Sequence, residues 1–394
     1  MNNMNFNVFR FDEVATLING RAYLMPELQD SGKYRIVRVG NFSGKDEWFW
    51  SDLELDDDKY CEAGDLLYKW ACNFGPEIWK GEKAIYHYHI WKVLPNNSKI
   101  DKLFLFYYLQ YATPTWLGET NGTTMVHITK ANMEKKKILI PVSIKDQQKI
   151  AFVLKNYDEL IENNNRRISL LESLAKEIYK EWFVRFRFPG YKTAKLKKRS
   201  AKGWTFGKRE EGQFIPDSWS FDCLIRLAEF KRGKNITSSE MVEGNIPVIS
   251  AGLKPSGFHN ESNVCGPNLT VSASGANAGY LSYHLADIWA ADCSYYQDSN
   301  NIWFVYNALS FLQPVINNMQ VGSAQPHVYA KNINKISTII PTSEFISLYC
   351  EKVESLFKEI KFLLEKNEIL QKQRGALLPR LMSGELLVEG KEIV

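Results

Sequence analysis

The chain has 394 residues, 45% of them hydrophobic and 13% aromatic, enough for two or three domains with cores of their own. No apolar run approaches the ~18 residues of a membrane span, and MNNMNFNVFRFDEV lacks the basic-then-apolar pattern of a secretory signal. A net charge of +4 allows a local basic surface without demanding one. The six scattered cysteines form no CxxC pair and read as reduced thiols of a cytoplasmic protein.

In chain order, residues 1–145 read as mixed α/β. YRIVRV (34–39) predicts a strand ended by a Gly-Asn-Phe-Ser-Gly turn, and AIYHYHIWKVL (84–94) alternates like one longer strand. LFLFYYLQY (103–111) predicts a buried helix and KILIP (137–141) a short strand. Gln147–Phe183 then carries apolar residues at Ile150, Leu154, Tyr157, Ile161, Ile168, Leu171, Ala175, Ile178 and Trp182. Those steps of four and three, broken once at Asn164, are the seam of a long helix packed on another helix. A weaker copy runs through Ile346, Tyr349, Val353, Leu356, Ile360, Leu363, Leu370, Leu377 and Leu381, with its own interruption at Asn367. Between the two lies a connector, 184–220, whose stretch Lys192–Arg209 holds eight cations (Lys192, Lys195, Lys197, Lys198, Arg199, Lys202, Lys208, Arg209) and no acid before Glu210. It suits a solvated loop or a path along a phosphate backbone.

From Phe221 the first half begins again. GTTMVHITKANMEKKKILIP (122–141) aligns without gaps on GSAQPHVYAKNINKISTIIP (322–341), with Gly, His, Asn, Lys, Ile and Pro coinciding. At the same offset Phe104, Leu109 and Pro114 meet Phe304, Leu309 and Pro314, while RIVRVG (35–40) resembles PVISAG (247–252). The coils match at a slightly larger offset, Asn164 on Asn367 and Leu160 on Leu363. Ordered matches in one direction indicate an internal duplication, each unit an α/β domain followed by a long helix.

Catalytic constellations are weak. Pro216-Asp217 before Glu229-Phe230-Lys231 satisfies a PD…ExK spacing in which two carboxylates would hold Mg2+ and a lysine assist water. The pattern is short, lies partly in a linker turn and has no counterpart in the first repeat. His87 and His89 would share one face of a strand as a metal pair might, but no third ligand stands nearby, and a half-buried aromatic face explains them better. His127 and His327 repeat and could reach a ligand or simply bond backbone. There is no GxxxxGK[ST] phosphate loop, no glycine-rich cofactor turn and no (Asn/Asp/Ser)-Pro-Pro-(Tyr/Phe) loop of an amino-methyltransferase. By these negatives the chain reads rather than catalyses.

Two similar domains on two antiparallel helices would form a ruler. About 36 helical residues at ~1.5 Å each span about 54 Å, close to 15–16 base pairs at ~3.4 Å each. Two different heads imply two different half-sites. A polar Asn in each seam would fix register, and a slip of one heptad would move the heads by about 10 Å.

Pro141, Asp146-Gln147-Gln148-Lys149-Ile150-Ala151, Asp158 to Asn164, Leu171-Glu172 and Trp182-Phe183-Val184 with Phe186 resemble the central conserved region of type I restriction-modification specificity subunits. Leu377-Leu378-Pro379-Arg380-Leu381-Met382-Ser383-Gly384-Glu385-Leu386 resembles that family's C-terminal signature, and Ile215-Pro216-Asp217-Ser218-Trp219 the start of its second recognition domain. The second repeat departs at Ser343-Glu344-Phe345-Ile346, where a Glu-Gln pair is usual. The resemblance implies an α+β fold with a pseudo-twofold repeat: two α/β target-recognition domains separated by two long antiparallel coiled-coil helices. The expected division is 1–145 and 221–342 for the recognition domains, 146–186 and 343–386 for the conserved helices, 187–220 for a basic linker and 387–394 for a tail.

The resemblance further implies that each recognition domain reads half of a bipartite asymmetric site on double-stranded DNA, and that the helices set the spacer and dock two methyltransferase subunits. S-adenosylmethionine would sit on those partners, and ATP and Mg2+ on partner subunits too, a separate motor-nuclease (restriction) subunit using ATP; this chain would carry no catalytic residue, metal or cofactor. Chemistry nominates Arg38, Asn41, Lys45, Lys69 and Asn73 as DNA contacts in the first domain, and Lys231, Lys234, Lys254, Ser274 and Asn277 in the second. For the coil and its partners the positions are Leu154, Ile161, Asn164, Ile168, Leu171, Ile178, Trp182, Val353, Ile360, Asn367, Leu370, Leu377 and Leu381. The competing readings are a metal-dependent nuclease using Asp217, Glu229 and Lys231, and a scaffold whose coils bind only protein.

Overall fold

The computed structural model describes residues 4–43, 47–118, 128–198, 214–322 and 326–388. The first repeat runs β1 (Phe6–Arg10), α1 (Phe11–Val14), β2 (Ala15–Asn19), β3 (Tyr34–Val37), β4 (Phe49–Ser51), β5 (Tyr60–Cys61), β6 (Leu66–Lys69), β7 (Gly75–Ile78), β8 (Ala84–Tyr86), β9 (Ile90–Pro95), α2 (Lys102–Gly118), α3 (Lys130–Glu134), β10 (Lys137–Pro141) and α4 (Ile144–Tyr179). The second runs β11 (Leu196–Lys198), β12 (Phe214–Pro216), β13 (Ser220–Cys223), β14 (Lys231–Arg232), β15 (Ile246–Ile249), β16 (Gly257–His259), β17 (Asn268–Ser272), β18 (Leu281–His284), β19 (Trp289–Ala290), β20 (Cys293–Tyr296), α5 (Ile302–Phe311), α6 (Gln313–Asn317), α7 (Ala330–Ile333), β21 (Ser337–Ile340) and α8 (Ser343–Met382). The fold is α+β. None of the described helices is long and apolar enough to cross a membrane.

The duplication is visible in strand order. An antiparallel sheet β2-β9-β6-β7 in the first repeat has its counterpart in β14-β20-β17-β18, and β4-β3-β8, which embeds one parallel pair, in β16-β15-β19. Antiparallel pairs β1–β10 and β13–β21 precede the two long helices in the same way.

Contacts divide the chain into two packed units, 1–163 with 367–394 and 164–366, so each unit takes one end of each long helix. In the first, Ile150, Ala151 and Leu154 near the start of α4 share a core with Leu377, Leu381 and Met382 at the end of α8. In the second, Ala175 and Tyr179 at the end of α4 pack with Tyr349 and Val353 at the start of α8, and the Tyr349 hydroxyl donates to the Ala175 carbonyl at 3.0 Å. The helices therefore run antiparallel in each unit.

Seam burial follows the heptads with two drifts, the first late in α4, where Tyr179 and Phe183 are buried and the expected Ile178 and Trp182 pack at the margin. Asn164 and Asn367 are both buried seam positions. Along α8 the fully buried ring is Phe357 rather than Leu356, which only packs at the margin. The sequence pairing of Leu160 with Leu363 fails as a structural match, since Leu160 is 45% exposed and Leu363 buried. A straight α-helix turns ~20° per heptad past a strict 3.5 repeat, so the buried stripe migrates by a residue.

α2 is apolar on every side because it lies under the sheet and against α4, with Phe104, Leu105, Tyr107, Tyr108 and Leu109 all buried. Pro114 sits inside it, and the neighbouring Thr113 hydroxyl donates to Leu109 O at 2.6 Å while pairing with Tyr68 Oη at 3.0 Å. The start of α4 is held by Gln147, which is wholly buried. Its Oε1 accepts from Asp101 N at 2.7 Å, and its Nε2 donates to Lys99 O (2.9 Å) and Pro141 O (2.8 Å). These three bonds tie the helix to the loop before α2 and the strand before itself. Further along, Arg374 of α8 pairs with Asp158 of α4 at 2.7 Å, and Tyr107 of α2 donates to the same carboxylate at 2.7 Å.

The strand expected over 84–94 is two strands in two sheets. β8 belongs with β3 and β5, β9 with β2 and β6, and residues 87–89 turn between them, closed by Ile90 N to His87 O at 2.9 Å. Alternation continues across the turn, so the pattern gives no sign of it. Gly20 marks the place instead: a Cβ there would lie 2.3 Å from the His87 carbonyl.

Candidate nucleic-acid interface

Each α/β domain presents a rim where its two sheets meet. In the first, β3 leads into Arg38–Ser43, β6 into Trp70–Phe74, and β8 into His87–His89. These three loops enclose a cleft of about 540 Å3 lined by Arg38, Asn41, Ser43, Glu47, Phe49, Cys72, Asn73, His87 and His89, among others. Cys72 has a left-handed backbone (φ 62°), which turns the chain out of β6 so that Asn73 faces the cleft loop, its Nδ2 donating to Ser43 Oγ at 2.9 Å.

The structure brings three nominated residues together here and qualifies them. Arg38 is exposed, its guanidinium 5.0 Å from the centre of the Phe49 ring. Asn41 uses its amide to hold the loop, accepting from Arg38 N and donating to Glu47 O, both at 2.9 Å. Asn73 lines the cleft. Lys69 is moved off the surface: it is buried, 2.7 Å from Glu77 and over the Phe42 ring, because β6 alternation points it into the domain. Its charge is matched internally and unavailable to phosphate. Lys45 lies outside the described residues.

Backbone hydrogen bonds place the matching rim of the second domain. Gly20 N to Ile90 O corresponds to Gly233 N to Cys293 O, and Arg21 N to Tyr86 O corresponds to Lys234 N to Ala290 O. Trp70 N to His89 O corresponds to Ala273 N to Asp292 O, and His87 N to Val37 O corresponds to Ala291 N to Ile249 O. Asp292 thus stands where His89 stands, and Ala291 where His87 stands. Gly275 (φ 74°) occupies the place of Cys72. Of the nominated residues, Lys231 and Lys234 are exposed on and after β14, Lys254 is exposed after β15, and Asn277 lies half-buried in the turn beyond Gly275. Ser274 is committed: its hydroxyl donates to Asp292, whose other oxygen pairs with Arg232.

Sequence reasoning missed Arg232, Asp292, His87 and His89 as rim residues. Nothing local distinguishes Asp292. For the histidines the signal was present, an HYH run at a strand end, but the strand reading assigned them to a sheet face. His87 is held down to about 4, chiefly by burial and then by His89 and Arg38, so its ring is neutral at pH 7. His327 is stacked on Tyr329 and its backbone pairs with Val321; His127 lies outside the described residues. Burial pushes the Cys61 and Cys293 thiols up to about 12, and Cys350 to about 11, so all three are protonated and unreactive.

Asp217 lies in the turn after β12, its N–H bonded to Lys195 O and its carbonyl accepting from Lys197 Nζ. Among the described residues no three His, Cys, Asp or Glu side chains gather so as to hold a metal ion. Of the basic connector, Lys192, Lys195, Lys197 and Lys198 are exposed, and Arg199, Lys202, Lys208 and Arg209 lie outside the described residues.

Comparison with known proteins gives one answer. The sequence pattern of the type I restriction modification DNA specificity domain matches residues 3–173 and 216–370. A type I restriction enzyme specificity subunit of Methanocaldococcus jannaschii is 26% identical over 316 residues, 75% of this chain and 72% of that one. The HindI specificity subunit of Haemophilus influenzae is 23% identical over 369 residues, covering 74% and 79%. The crystal structure of a type I restriction-modification S subunit from M. genitalium superposes over 99% of this chain and 98% of that one, at a TM-score of 0.57 and 18% identity. Neither the nuclease nor the protein-only scaffold finds support among these relatives. The chain belongs to the type I restriction-modification DNA specificity family, whose members bind DNA and assemble with modification and restriction subunits, and its own part is sequence recognition without catalysis.

Proposed function

We propose that each recognition domain reads one half of a bipartite, asymmetric site on double-stranded DNA, that the paired helices set the spacing between halves, and that their outward faces dock two methyltransferase subunits. The observation that carries this reading is the repeated rim: the same three loops, at matching hydrogen-bond positions, carry different side chains in the two domains. A duplicated frame with divergent rims is what recognition of two unlike half-sites requires.

The helices suit spacer and dock together. α4 has 36 residues and α8 has 40. Their seams are buried, yet large apolar side chains also stand outward: Phe152, Leu160 and Ile369 in the first unit, Leu170, Leu174 and Phe362 in the second. Such residues on a helix face already packed on its other side suit a partner protein. The partners would bring S-adenosylmethionine and, with a motor-nuclease subunit, ATP and Mg2+.

Deleting one heptad from each helix tests the spacer. The tolerated gap between half-sites should shorten by about 3 base pairs, from a loss of ~10 Å of helix against ~3.4 Å per base pair, with the bases unchanged. An altered base preference with an unaltered gap would refute it.

A further inference from the structure

The turn His87–Tyr88–His89 is built more firmly than a connecting loop needs. Tyr88 N donates to Arg21 O at 3.0 Å, Trp70 N to His89 O at 3.1 Å, and Trp70 Nε1 to Tyr88 O at 2.8 Å. Gly20 lies against the backbone of Tyr86 and His87 so closely that no side chain fits there. The rings pack on one another, His87 to His89 at 4.9 Å, Tyr88 to His89 at 3.9 Å and Trp70 to His89 at 5.2 Å between centroids. Both imidazoles remain half-buried in the cleft that also holds Arg38 and Asn73. Rigid placement of polar side chains in an open cleft is what base readout needs.

We propose that His87 and His89 are specificity-determining residues of the first domain and that, with Arg38, they take the acceptor-rich major-groove edge of a guanine. The inference rests on the reading that this domain contacts one half-site. His87 Nδ1 accepts from His89 N at 3.5 Å, which leaves the proton of the neutral ring on Nε2. Beside it stands a guanidinium that can only donate. Guanine offers two neighbouring acceptors, O6 and N7, whereas adenine sets its N6 amino group and cytosine its N4 amino group against these donors. Glu47 lines the same cleft, and its carboxylate disfavours a phosphate there while tolerating a base edge. In the second domain Ala291 and Asp292 replace the two histidines, so that rim lacks this donor set.

The test uses the full chain assembled with its methyltransferase partners. The methylated motif is read by sequencing, for the unaltered chain and for His87→Ala, His89→Ala and the double variant. One half of the motif should contain a guanine whose preference drops by about tenfold or more in the variants, the other half staying as it was. Replacing that guanine with 7-deazaguanine should weaken binding by the unaltered chain and affect the double variant, which keeps only Arg38 there, markedly less. His87→Gln, which keeps a donor, should retain part of the preference, and an intact second half shows that the variants fold. A motif unchanged in the double variant, or a half-site without guanine, overturns the assignment. A motif that is not split even for the unaltered chain overturns the two-domain reading, and the assignment with it.

Discussion

The two recognition domains share a frame and differ at its rim. Gly20 and Gly233 play one part: each lies where a Cβ would come within 2.3–2.4 Å of a backbone carbonyl of the facing turn, His87 in one case and Ala291 in the other. Above those glycines the chemistry diverges. The first domain shows Arg38, His87 and His89 among aromatic rings, an array of donors. The second shows Arg232 paired with Asp292, and Ser274 bonded to the same carboxylate, so donor and acceptor are linked. Duplication has preserved the groups that hold the loops in place and changed the groups that face outward. Backbone geometry is common to both domains; specificity lies in a few side chains.

The comparison can be broken first at its shared foundation. Gly20→Ala and Gly233→Ala should each destabilise their own domain by about 3 kcal/mol, since the neighbour to be displaced is backbone rather than a flexible side chain. Thermal unfolding, with recognition of each half-site measured separately, checks this. Each change should damage one half only.

The second contrast lies beneath the rims. Gln147 ties α4 to the first domain through three bonds, while Ile346, likewise the fourth residue of its helix, is apolar and buried in the core of the second unit. Gln147→Ala would leave buried backbone groups unpaired and should cost about 2–3 kcal/mol. Ile346→Ala should cost as much, roughly 2–3 kcal/mol, through a cavity in the core rather than unpaired polar groups. Chemical denaturation of the two variants gives the comparison directly.

A third difference is pH sensitivity. His284, buried in the second domain and bonded to Thr270 Oγ1 at 2.8 Å, is held down to about 4 by burial. The unfolded chain therefore binds this proton more readily than the folded one. Above its ordinary value of ~6.5 the residue makes no difference; as pH falls from ~6.5 towards 4, stability should drop by about 2–3 kcal/mol. Unfolding of His284→Gln across that range should show a shallower loss than the unaltered chain.

Much of this organisation was legible in the sequence. Heptad spacing located α4 and α8 because helix packing imposes its period on composition, and the repeat was readable because loops change length while core positions keep their order. The rim was only half legible. Arg38, Asn41 and Asn73 could be nominated by residue type, but whether a side chain faces outward depends on long-range partners: Glu77 withdraws Lys69, and Asp292 engages Ser274. The turn at 87–89 was hidden because alternation continues through it, and Gln147 looked like one more polar helix residue although it is wholly buried.

The central claim is that the two domains read separately. Exchanging residues 11–140 for the corresponding segment of another specificity subunit, then sequencing the adenines methylated by the assembled complex, tests it most directly. The account predicts a new sequence in one half of the motif, with the other half and the spacer unchanged. A change in both halves would contradict it.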